Sequence, residues 1–394
     1  MAAAIVAAST LACSNGAEAD AGSARSDFVI DAAGRTVAIP TSLDGGIVAI
    51  GSAGPLRFLS LFDAFERVIE VDKGDVTDGK HGRAYSYAYP YDEFPADRYH
   101  ADNKLEAETV ERIAAREPSL IVVQKSVYDG FKDHCELLAA RFPVLVLPAQ
   151  SLTELWDEGY ELAPWYRDAV RMLGAALGAE ERADGHIRDM NALLADVRSL
   201  VGSSDEPLYV AGLTWQGSNE LTTTFPIYLP LALAGGRNAY AGSELGRVIM
   251  DVEAIAELPM DRMVIDPSSA DKLSTPNSQL ILAWLYGRNN DEDPSNDIRI
   301  FITLPMVWDG ANYDCVIAGS YYFTKLLYGA LDDAALESKI EGVFRAFYGE
   351  RGSAVYPAMK AFFEAKSRAH GVELPLLGEA RVERVGALYR LSAK

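Results

Sequence analysis

The side chains best placed for chemistry follow short apolar runs that are typical of buried strands. Arg57 comes soon after the run Ile47 to Gly51 and stands near the start of a predicted helix. Backbone amides at the beginning of a helix and a guanidinium together favour an anionic group, whereas an ion pair within the same helix is the alternative for Arg57. The residues that follow predicted strands complete the set of candidate ligand-binding residues: Ser52, Tyr85, Tyr87, Tyr89, Lys125, Trp215, Thr223, Trp308 and Tyr313. Such positions matter because ligands bind beyond the carboxyl ends of the strands in open parallel sheets.

A tyrosine-rich segment, Tyr85 to Tyr91, alternates aromatic residues with other residues. Alternation over this length predicts an edge strand that carries several rings on one face. These rings either pack against their own lobe or form a wall for a flat or macrocyclic ligand, and we expect at least one of them to line a cleft. Trp215 and Trp308 have the same two interpretations, ligand stacking or core packing. Thr223 and its threonine neighbours either donate to a ligand or cap the next helix.

Strand and helix patterns alternate along most of the chain, which predicts parallel sheets covered on both faces. The run Phe28 to Pro40 alternates on either side of Ala33-Gly34 and predicts a hairpin. From Trp156 to about Val201 the strand signals vanish and apolar residues recur at helical spacing, which predicts a stiff connector of two helices. A long helical tail is predicted from Ala318 to about His370. The predicted organisation is therefore 1–26 export signal and tether, 27–150 N-terminal α/β lobe, 151–204 helical connector, and 205–394 C-terminal α/β lobe with helical tail.

The two halves share a short helix-then-strand pattern. Val110 to Ala114 resembles Val252 to Ala256, and a constant offset of 142 residues then aligns the strands that follow. The comparison places one glutamate, Glu111 or Glu253, at the same point of each half. Complementation of a helix dipole by a carboxylate is the structural alternative to a functional role for these two residues.

The charge balance and the motifs exclude several classes of protein. The 57 acidic residues outnumber the 36 basic ones, and a formal charge of −21 argues against nucleic-acid binding, because phosphate would be repelled. The chain contains no G-x-S-x-G, no G-x-G-x-x-G and no P-loop motif, so we expect no enzymatic activity. The five histidines lack metal-ligand spacing, which disfavours direct metal binding. Cys135 and Cys315 are expected to be unpaired thiols rather than a disulfide.

The N-terminal residues resemble an export signal. Ala2 to Ala12 form an apolar run that ends at Cys13, and this run is too short to span a bilayer as a helix. Small residues before a cysteine predict lipoprotein processing, in which Cys13 becomes the acylated first residue. Thr10 occupies the position where leucine is usual, and the first basic residue is Arg25. No later run is long and apolar enough to predict a membrane span.

Several segments resemble a known family. Asp31 to Arg35, followed by Ile39-Pro40 and Ile47-Val48, resembles the opening of the periplasmic binding proteins for iron siderophores, haem and cobalamin. The glutamate-containing helix before Pro118 to Ile121 is similar to the segment that precedes their third strand, and Leu304 to Tyr328 resembles their iron-complex branch. The resemblance implies an α/β fold of two lobes with mostly parallel sheets, joined by a long rigid connector helix, with the ligand held between the lobes. It also implies that Glu111 and Glu253 meet arginines of a membrane permease.

These observations lead to one functional hypothesis and two alternatives. We expect an extracytoplasmic, periplasmic or lipid-anchored binding component of an ABC importer, monomeric and without a cofactor. It would capture a metal chelate, namely a ferric siderophore, haem or a corrinoid, in a largely pre-formed cleft, because a stiff connector limits closure. The alternatives are a carrier of another small ligand such as an oxyanion, and a hydrolase of unrecognised type.

Overall fold

The computed structural model describes residues 27–77, 82–100, 103–149, 154–203, 207–212, 220–243, 246–308 and 310–394. The predicted export signal with Cys13, and the candidate ligand-binding residue Trp215, lie outside these ranges.

The N-terminal lobe is a parallel sheet covered by helices. Its elements are β1 (Phe28–Ile30), β2 (Thr36–Ala38), β3 (Ile47–Ile50), α1 (Pro55–Leu61), β4 (Val68–Asp72), α2 (Lys73–Thr77), α3 (Tyr85–Ala88), β5 (Tyr99–His100), α4 (Ala107–Ala115), β6 (Leu120–Gln124), α5 (Lys125–Gly130), α6 (Lys132–Ala139) and β7 (Val144–Leu147). The five strands β5-β4-β3-β6-β7 pair in that order, and every pair is parallel. The apolar runs of β3 and β7 are buried along their whole length, as expected for a sheet covered on both faces. The predicted hairpin is confirmed, since β1 and β2 pair antiparallel.

Two helices connect the lobes, α7 (Pro164–Leu177) and α8 (Glu180–Leu200). They meet at Gly178, whose φ of +66° is the left-handed conformation in which glycine commonly ends a helix. An added Cβ on Gly174 would lie 2.6 Å from Cβ of Ala183, so the two helices cross closely there. Helix α7 packs on α1 and β1, whereas α8, about 31 Å long, packs on helices of the second lobe. The helical connector predicted from the sequence is therefore present.

The C-terminal lobe has fewer parallel strands and longer helices. Its elements are β8 (Tyr209–Ala211), β9 (Thr223–Thr224), α9 (Leu229–Leu233), β10 (Val248–Ile249), α10 (Val252–Ala256), β11 (Arg262–Ile265), α11 (Pro276–Arg288), β12 (Arg299–Ile302), α12 (Tyr313–Tyr328), α13 (Asp333–Tyr348), α14 (Val355–Ala369), β13 (Glu379–Val385) and β14 (Leu388–Ala393). The sheet order is β14-β13-β12-β11-β8. Strands β8, β11 and β12 are parallel, whereas β13 and β14 are antiparallel additions. The helical tail predicted as one segment is three helices, with left-handed glycines at 329 and 349 between them.

The hairpin β13–β14 is an element that the sequence analysis did not predict. Its outer edge is closed by side chains rather than by another strand. The amide group of Gln279 both donates to the carbonyl of Tyr389 and accepts from its N–H, each at 2.9 Å. The Glu373 N–H donates to the Leu391 carbonyl at 2.9 Å, and the Glu373 carboxylate accepts from the Ala393 N–H at 3.3 Å. Since these groups are occupied, the edge is blocked against pairing with a further strand.

The predicted internal repeat is visible in the two sheets. Val122 lies in β6 and Val264 in β11, and each strand pairs in parallel with the strand that comes first along the chain in its own five-stranded sheet, β3 or β8. Leu208 forms a parallel bridge with Asn238 beside β8, at the position that β4 occupies beside β3. Of the residues that the structure describes, none forms a helix with the length and apolarity that a membrane span requires.

Candidate functional site

The two lobes meet through loops at the carboxyl ends of their strands. Gly82 follows β4 in the chain, and an added Cβ there would lie 3.2 Å from side-chain atoms of both Pro305 and Trp308, which follow β12. These loops are therefore in van der Waals contact across the lobe interface. This is the edge at which ligands bind in open parallel sheets.

Arg57 crosses this interface from α1. Its guanidinium Nη2 donates to Oδ1 of Asn312 at 2.7 Å and lies 3.5 Å from the carbonyl oxygen of Trp308. Only 5% of Arg57 is exposed. Helix α1 begins with Pro55, which has no N–H, so fewer backbone amides accompany the guanidinium than the sequence predicted. Both of these acceptors belong to the second lobe.

A second buried guanidinium, Arg83, lies beneath the interface in the first lobe. Its Nη2 donates to the hydroxyl of Ser52 at 3.0 Å, and its Nη1 donates to the Gly74 carbonyl at 2.6 Å. The same Nη1 is 3.5 Å from the Asp75 carboxylate, which also accepts from the Tyr85 hydroxyl at 2.6 Å. Burial, together with the neighbouring carboxylate of Asp75, raises the pKa of Tyr85 well above its usual value. Ser52 and Tyr85 were predicted from the sequence, whereas Arg83 and Asp75 were missed because no motif marks them.

The second lobe contributes an acidic and amide cluster at the start of α12. Asn312 is fully buried and donates from Nδ2 to the Pro305 carbonyl at 3.3 Å. The carboxylate of Asp314 accepts a hydrogen bond from the hydroxyl of Tyr348 and another from the Cys315 N–H at 2.7 Å. Burial raises the pKa of Asp314 above its usual value. The sequence analysis did not select Asp314, although it directly follows the predicted residue Tyr313.

The space enclosed at this point is small. One cavity has a volume of about 10 Å³, and its lining comes from both lobes and the connector: Arg57, Phe58, Leu61, Tyr166, Tyr313, Asp314 and Phe347. Such a volume is at the lower limit for a single water molecule. This cavity is therefore closed to a chelate at Arg57, and the prediction of a largely pre-formed cleft between the lobes stays a prediction.

The C-terminal helices bind the lobes together. The Tyr348 ring lies 6.4 Å from Tyr89 and the Phe362 ring 6.1 Å from Tyr87, so residues from the end of α13 and from α14 contact the first lobe. Arg351 lies 4.9 Å above the Tyr89 ring. The same region contacts the second lobe, because Asp314 accepts from Tyr348 and the Lys366 ammonium lies 6.0 Å from the Trp308 ring. We call residues 344–369 the strap.

The tyrosine segment does not form the predicted edge strand. Residues Tyr85–Ala88 are a short helix, and Tyr91–Glu93 form a turn of 3-10 helix. Tyr85 and Tyr89 are buried, Tyr89 donating to the Ser60 carbonyl at 3.2 Å, and Tyr87 is partly buried. Burial is the main cause that raises the pKa of Tyr89 above its usual value. An open aromatic wall is therefore the wrong description of these rings, which pack within the first lobe and against the strap.

The remaining predicted binding residues are dispersed. Lys125 pairs with Asp129 of its own helix at 2.6 Å. Thr223 lies in β9 and donates to the Glu220 carbonyl at 2.8 Å. Trp308 and Tyr313 lie at the interface, and the Tyr313 ring is 5.6 Å from the ring of Trp165 at the start of the connector. The structure therefore brings five of the predicted residues towards the lobe interface: Arg57, Ser52, Tyr85, Trp308 and Tyr313. The contacts of Lys125 with Asp129 and of Thr223 with Glu220 do not connect these two residues to that interface.

Glu111 and Glu253 occupy matched positions on the surface. Both are exposed, Glu111 in α4 and Glu253 in α10, and each helix precedes an equivalent strand. Glu253 is in the first turn of its helix, but Glu111 lies in the middle of α4. Complementation of the helix dipole therefore applies to Glu253 only.

A much larger surface cavity lies elsewhere in the second lobe. It has a volume of about 890 Å³ and lies beside β8, lined mainly by the segments 226–232 and 236–243 together with Pro207 and Pro259. None of its lining residues belongs to the loops that carry Arg57, Arg83 or Asn312. In the described part of the chain, no three histidine, cysteine, aspartate or glutamate side chains are grouped so that they could hold a metal ion. Cys135 and Cys315 are buried free thiols.

The fold has counterparts among solved structures. No protein-family model matches the chain, and no curated protein matches it in sequence. It is similar to the molybdate periplasmic binding protein MolA of Haemophilus influenzae, solved with molybdate bound, at 14% identity and a TM-score of 0.56, covering 82% of this chain and 97% of MolA. A periplasmic solute-binding protein of Veillonella parvula has 14% identity and a TM-score of 0.58, covering 82% of this chain and 92% of that one. The TroA-like periplasmic binding protein FepB of the same organism has 17% identity and a TM-score of 0.56, covering 82% of this chain and 96% of FepB. The chain therefore has the two-lobed fold of these periplasmic binding proteins.

Proposed function

We propose that the chain is the extracytoplasmic solute-binding component of an ABC importer and that its ligand is an anionic metal chelate held between the lobes. The observation that carries this proposal is the meeting of the two strand edges, with Arg57 of one lobe bonded to Asn312 of the other. The proposed ligand class comprises ferric siderophores, haem and corrinoids. FepB, whose structure has a similar fold, is a TroA-like periplasmic binding protein.

Charge at the interface supports an anionic ligand. The first lobe supplies two buried guanidiniums, Arg57 and Arg83, of which Arg83 is close to one carboxylate, Asp75. Two acceptors of Arg57 are uncharged groups of the second lobe, the Asn312 amide and the Trp308 carbonyl. An anionic ligand would replace the hydrogen bond to the neutral amide with an ion pair, which a guanidinium can form in bidentate geometry. The ligand can therefore contact Arg57 only after the lobes have moved apart.

Opening of the lobes is the conformational step that this proposal requires. A cavity of about 10 Å³ admits no chelate, so the loops that carry Gly82 and Trp308 must separate. The strap contacts both lobes and opposes that separation. Ligand binding would therefore be coupled to displacement of strap contacts such as the one between Tyr89 and Tyr348.

A small oxyanion is the second candidate ligand, and one specific observation favours it. MolA, whose fold is similar, was solved with molybdate bound. A tetrahedral oxyanion also needs less lobe separation than a chelate, and a guanidinium is well suited to it. The two candidates differ in whether the bound protein is coloured and in the volume that must open.

One buried histidine of the connector helix α8, His186, is not available for acid–base chemistry. His186 is buried, with Nδ1 3.2 Å from the Ala346 carbonyl and Nε2 2.9 Å from the Tyr166 hydroxyl. Since a carbonyl only accepts, Nδ1 carries the proton and Nε2 accepts from Tyr166. Burial lowers the pKa of His186 to about 4. Both ring nitrogens are thus occupied, and His186 has no nitrogen left to serve as a general base.

Delivery to a permease and attachment to the membrane complete the proposal. Glu111 and Glu253 would dock the carrier, one from each lobe, as the sequence resemblance implies. Cys13 would carry the lipid, and its replacement by serine should release the protein from membranes. Mass spectrometry of the protein from its native host would find an acylated Cys13 as the first residue, whereas an intact Met1 would contradict lipidation.

The experiment that tests the ligand begins with the protein purified from its native host. A chelate predicts a visible absorbance band, whereas an oxyanion predicts a colourless protein with metal detected by elemental analysis. Thermal unfolding with added ferric siderophore, haemin, cobalamin or molybdate then identifies the ligand, because a ligand at one hundred times its Kd stabilises the folded state by about 2.7 kcal/mol. The Arg57→Ala variant should lose about half of this stabilisation at the same ligand concentration, because a tenfold larger Kd reduces it to about 1.4 kcal/mol. Stabilisation that is undiminished in Arg57→Ala would place the ligand elsewhere and overturn the proposed site.

A further inference from the structure

The strap carries a partly buried ammonium group, that of Lys366. This lysine belongs to helix α14, and its side chain is only partly exposed. Burial lowers the pKa of Lys366 below its usual value, because the charged form loses hydration. In the described ranges of the chain, no carboxylate forms a salt bridge with this ammonium, although Arg368 on the same helix pairs with Glu364 at 4.0 Å. Lys366 is therefore a cation that lacks a close counter-ion.

Two carboxylates of the second lobe act on Lys366 from a distance, Asp266 and Asp271. The carboxylate of Asp266 accepts a hydrogen bond from the Ser268 N–H at 2.9 Å. The carboxylate of Asp271 lies 3.3 Å from the ammonium of Lys272, which is a second cation near Lys366. Both carboxylates thus bind other donors, and they attract Lys366 without pairing with it.

One side of α14 spans the junction of the two lobes. Phe362 and Lys366 are four residues apart and therefore lie on the same side of the helix. The Phe362 ring is 6.1 Å from the ring of Tyr87 in the first lobe, and the Lys366 Nζ is 6.0 Å from the ring of Trp308 in the second. The ammonium of Lys366 therefore lies at the lobe junction and not on the outward side of α14.

Trp308 is a common neighbour of Lys366 and Arg57. Its carbonyl oxygen lies 3.5 Å from the Arg57 guanidinium, and its indole ring lies next to the Lys366 ammonium. The loop that carries Trp308 must move before a chelate can enter between the lobes. Because this one residue contacts both cations, its movement would leave the guanidinium and the ammonium facing the same space.

We propose that Lys366 is a second cationic contact of the ligand, supplied by the strap, and that the ligand is a chelate with more than one negative charge. This inference rests on the proposed function, since it concerns the same site between the lobes. A single negative charge would be neutralised by Arg57 alone and would leave a partly desolvated Lys366 without a counter-ion, which is unfavourable. A chelate whose charge is distributed over separated groups would pair with both cations. Two such cations at one junction are also notable in a chain with a formal charge of −21.

Ferric chelates of different charge test this inference. Three dianionic catecholates make a ferric complex trianionic, whereas three hydroxamates leave it neutral, although the metal and the type of donor atom are the same. Haemin, whose propionates are anionic, is the third probe. Titration of the full chain, monitored by tryptophan fluorescence, gives the Kd for each. We expect the trianionic complex to bind at least about tenfold more tightly than the neutral one.

Substitutions of Lys366 identify the source of that preference. Lys366→Gln should weaken binding of the anionic probe at least about tenfold, and Lys366→Arg should keep the affinity within about threefold of the parent, because it preserves the charge. Only protonated Lys366 attracts an anion, so the affinity of the parent should fall as the pH rises through the lowered Lys366 pKa. This fall should be absent in Lys366→Gln. A merely structural role of Lys366 would not produce that difference.

Arg368→Gln is the matched control, since it removes a charge from an exposed position of the same helix and should bind like the parent. Circular dichroism confirms that each variant is folded. A preference for the neutral complex, an unchanged Kd in Lys366→Gln, or equal losses in Lys366→Gln and either Lys366→Arg or Arg368→Gln would overturn the role of Lys366 and leave the carrier function intact. If the parent binds none of the three probes, the proposed chelate binding fails and this inference fails with it.

Discussion

The two lobes share a frame of strands and helices but supply opposite groups to the surface between them. The first lobe contributes Arg57 and Arg83, and the second contributes Asn312 and Asp314. In the first lobe a tyrosine hydroxyl bonds Asp75, which is also close to Arg83, whereas in the second a tyrosine hydroxyl bonds Asp314. An internal repeat thus preserved the scaffold while the loops diverged in charge. This difference indicates that recognition of an anion would depend mainly on the first lobe.

The sheets differ in the same way. The first sheet continues on both sides of β3 with parallel strands, whereas one side of β8 shows a single bridge, Leu208 to Asn238, among the residues that the structure describes. On the other side the second lobe adds an antiparallel hairpin from the C-terminal end of the chain. Strands β6 and β11 occupy the same place in the two sheets. The lobes differ in the outer strands of these sheets and therefore in their surfaces.

The largest expected effect concerns the two surface glutamates, for which the lobes should be equivalent. Glu111→Lys combined with Glu253→Lys should abolish uptake and leave ligand affinity unchanged, since both residues are exposed and charge reversal would repel the arginines of a permease. Uptake by cells and ligand titration of the same double variant provide the measurement. Glu181→Lys with Glu337→Lys is the matched control on other exposed helices. Normal uptake by the first double variant would remove the docking role.

The second prediction compares two buried carboxyl groups, Asp266 of the second lobe, whose pKa is raised, and Glu70 of the first lobe, whose pKa is lowered. Burial raises the pKa of Asp266 in the second lobe to about 6, so between its usual 3.8 and 6 the folded state binds the extra proton. The contribution of Asp266 to the free energy of unfolding therefore falls as the pH rises through this range. In Asp266→Asn, the stability at pH 4.5 minus that at pH 7 should be smaller than in the parent by about 2 kcal/mol. Urea unfolding at the two pH values measures it.

Glu70 of the first lobe supplies the comparison for that prediction. Burial alone would raise the Glu70 pKa, but hydrogen bonds and charge from His100 and Arg112 hold it below its usual value. Its contribution to stability is therefore present above the ordinary glutamate pKa and is lost as the pH falls through the folded value. An unchanged pH dependence in Asp266→Asn would show that the Asp266 carboxyl titrates normally.

The third prediction compares the tyrosine–aspartate pair of each lobe. Tyr348→Phe should destabilise the protein by about 1.5 kcal/mol, because buried Asp314 loses a strong donor. Tyr85→Phe should cost about 0.5 to 1 kcal/mol, because Asp75 keeps the Ala53 N–H at 3.0 Å and the nearby Arg83. Urea unfolding of both variants gives the two values. Equal losses would mean that the two carboxylates are equally well supported.

The fourth prediction tests the asymmetry of the ligand site. Arg57→Ala should weaken ligand binding at least tenfold, about 1.4 kcal/mol, because it removes a guanidinium from the first lobe. Asn312→Ala in the second lobe should change the affinity less, since Asn312 competes with the ligand for Arg57. Titration monitored by tryptophan fluorescence compares both with the parent. Greater loss in Asn312→Ala would reverse the proposed roles of the lobes.

Sequence periodicity predicted the elements whose burial is uniform. The apolar runs of β3, β6 and β7 and the helical spacing of α7 and α8 were recognised because burial in a covered sheet or on a connector leaves a regular pattern. The prediction of an edge strand for the tyrosine segment was wrong, because the alternation of its residues does not determine its structure. Tyr85 and Tyr89 are placed by hydrogen bonds to Asp75 and to the Ser60 carbonyl, which tertiary packing supplies and local sequence does not contain.

Less of the candidate site than of the fold could be predicted from the sequence. Arg57, Trp308 and Tyr313 could be selected because they follow recognisable strands, but Arg83 comes from a loop without a pattern and Asp314 from the start of a helix. Lys125 satisfied the same positional rule and instead pairs with Asp129. The C-terminal hairpin could have been found, since Ala380, Val382 and Leu391 alternate with exposed residues on either side of a Gly-Ala turn.

The strap also has a consequence for the order in which the polypeptide folds during synthesis. Tyr87 and Tyr89 are made long before their partners, since 275 residues separate Tyr87 from Phe362 and 259 separate Tyr89 from Tyr348. Contacts between such distant parts of a chain form slowly, because a long loop must close before they contribute. The N-terminal lobe therefore cannot complete its packing until the strap has been made. Such a delay would keep the first lobe loosely packed while the intervening residues are synthesised.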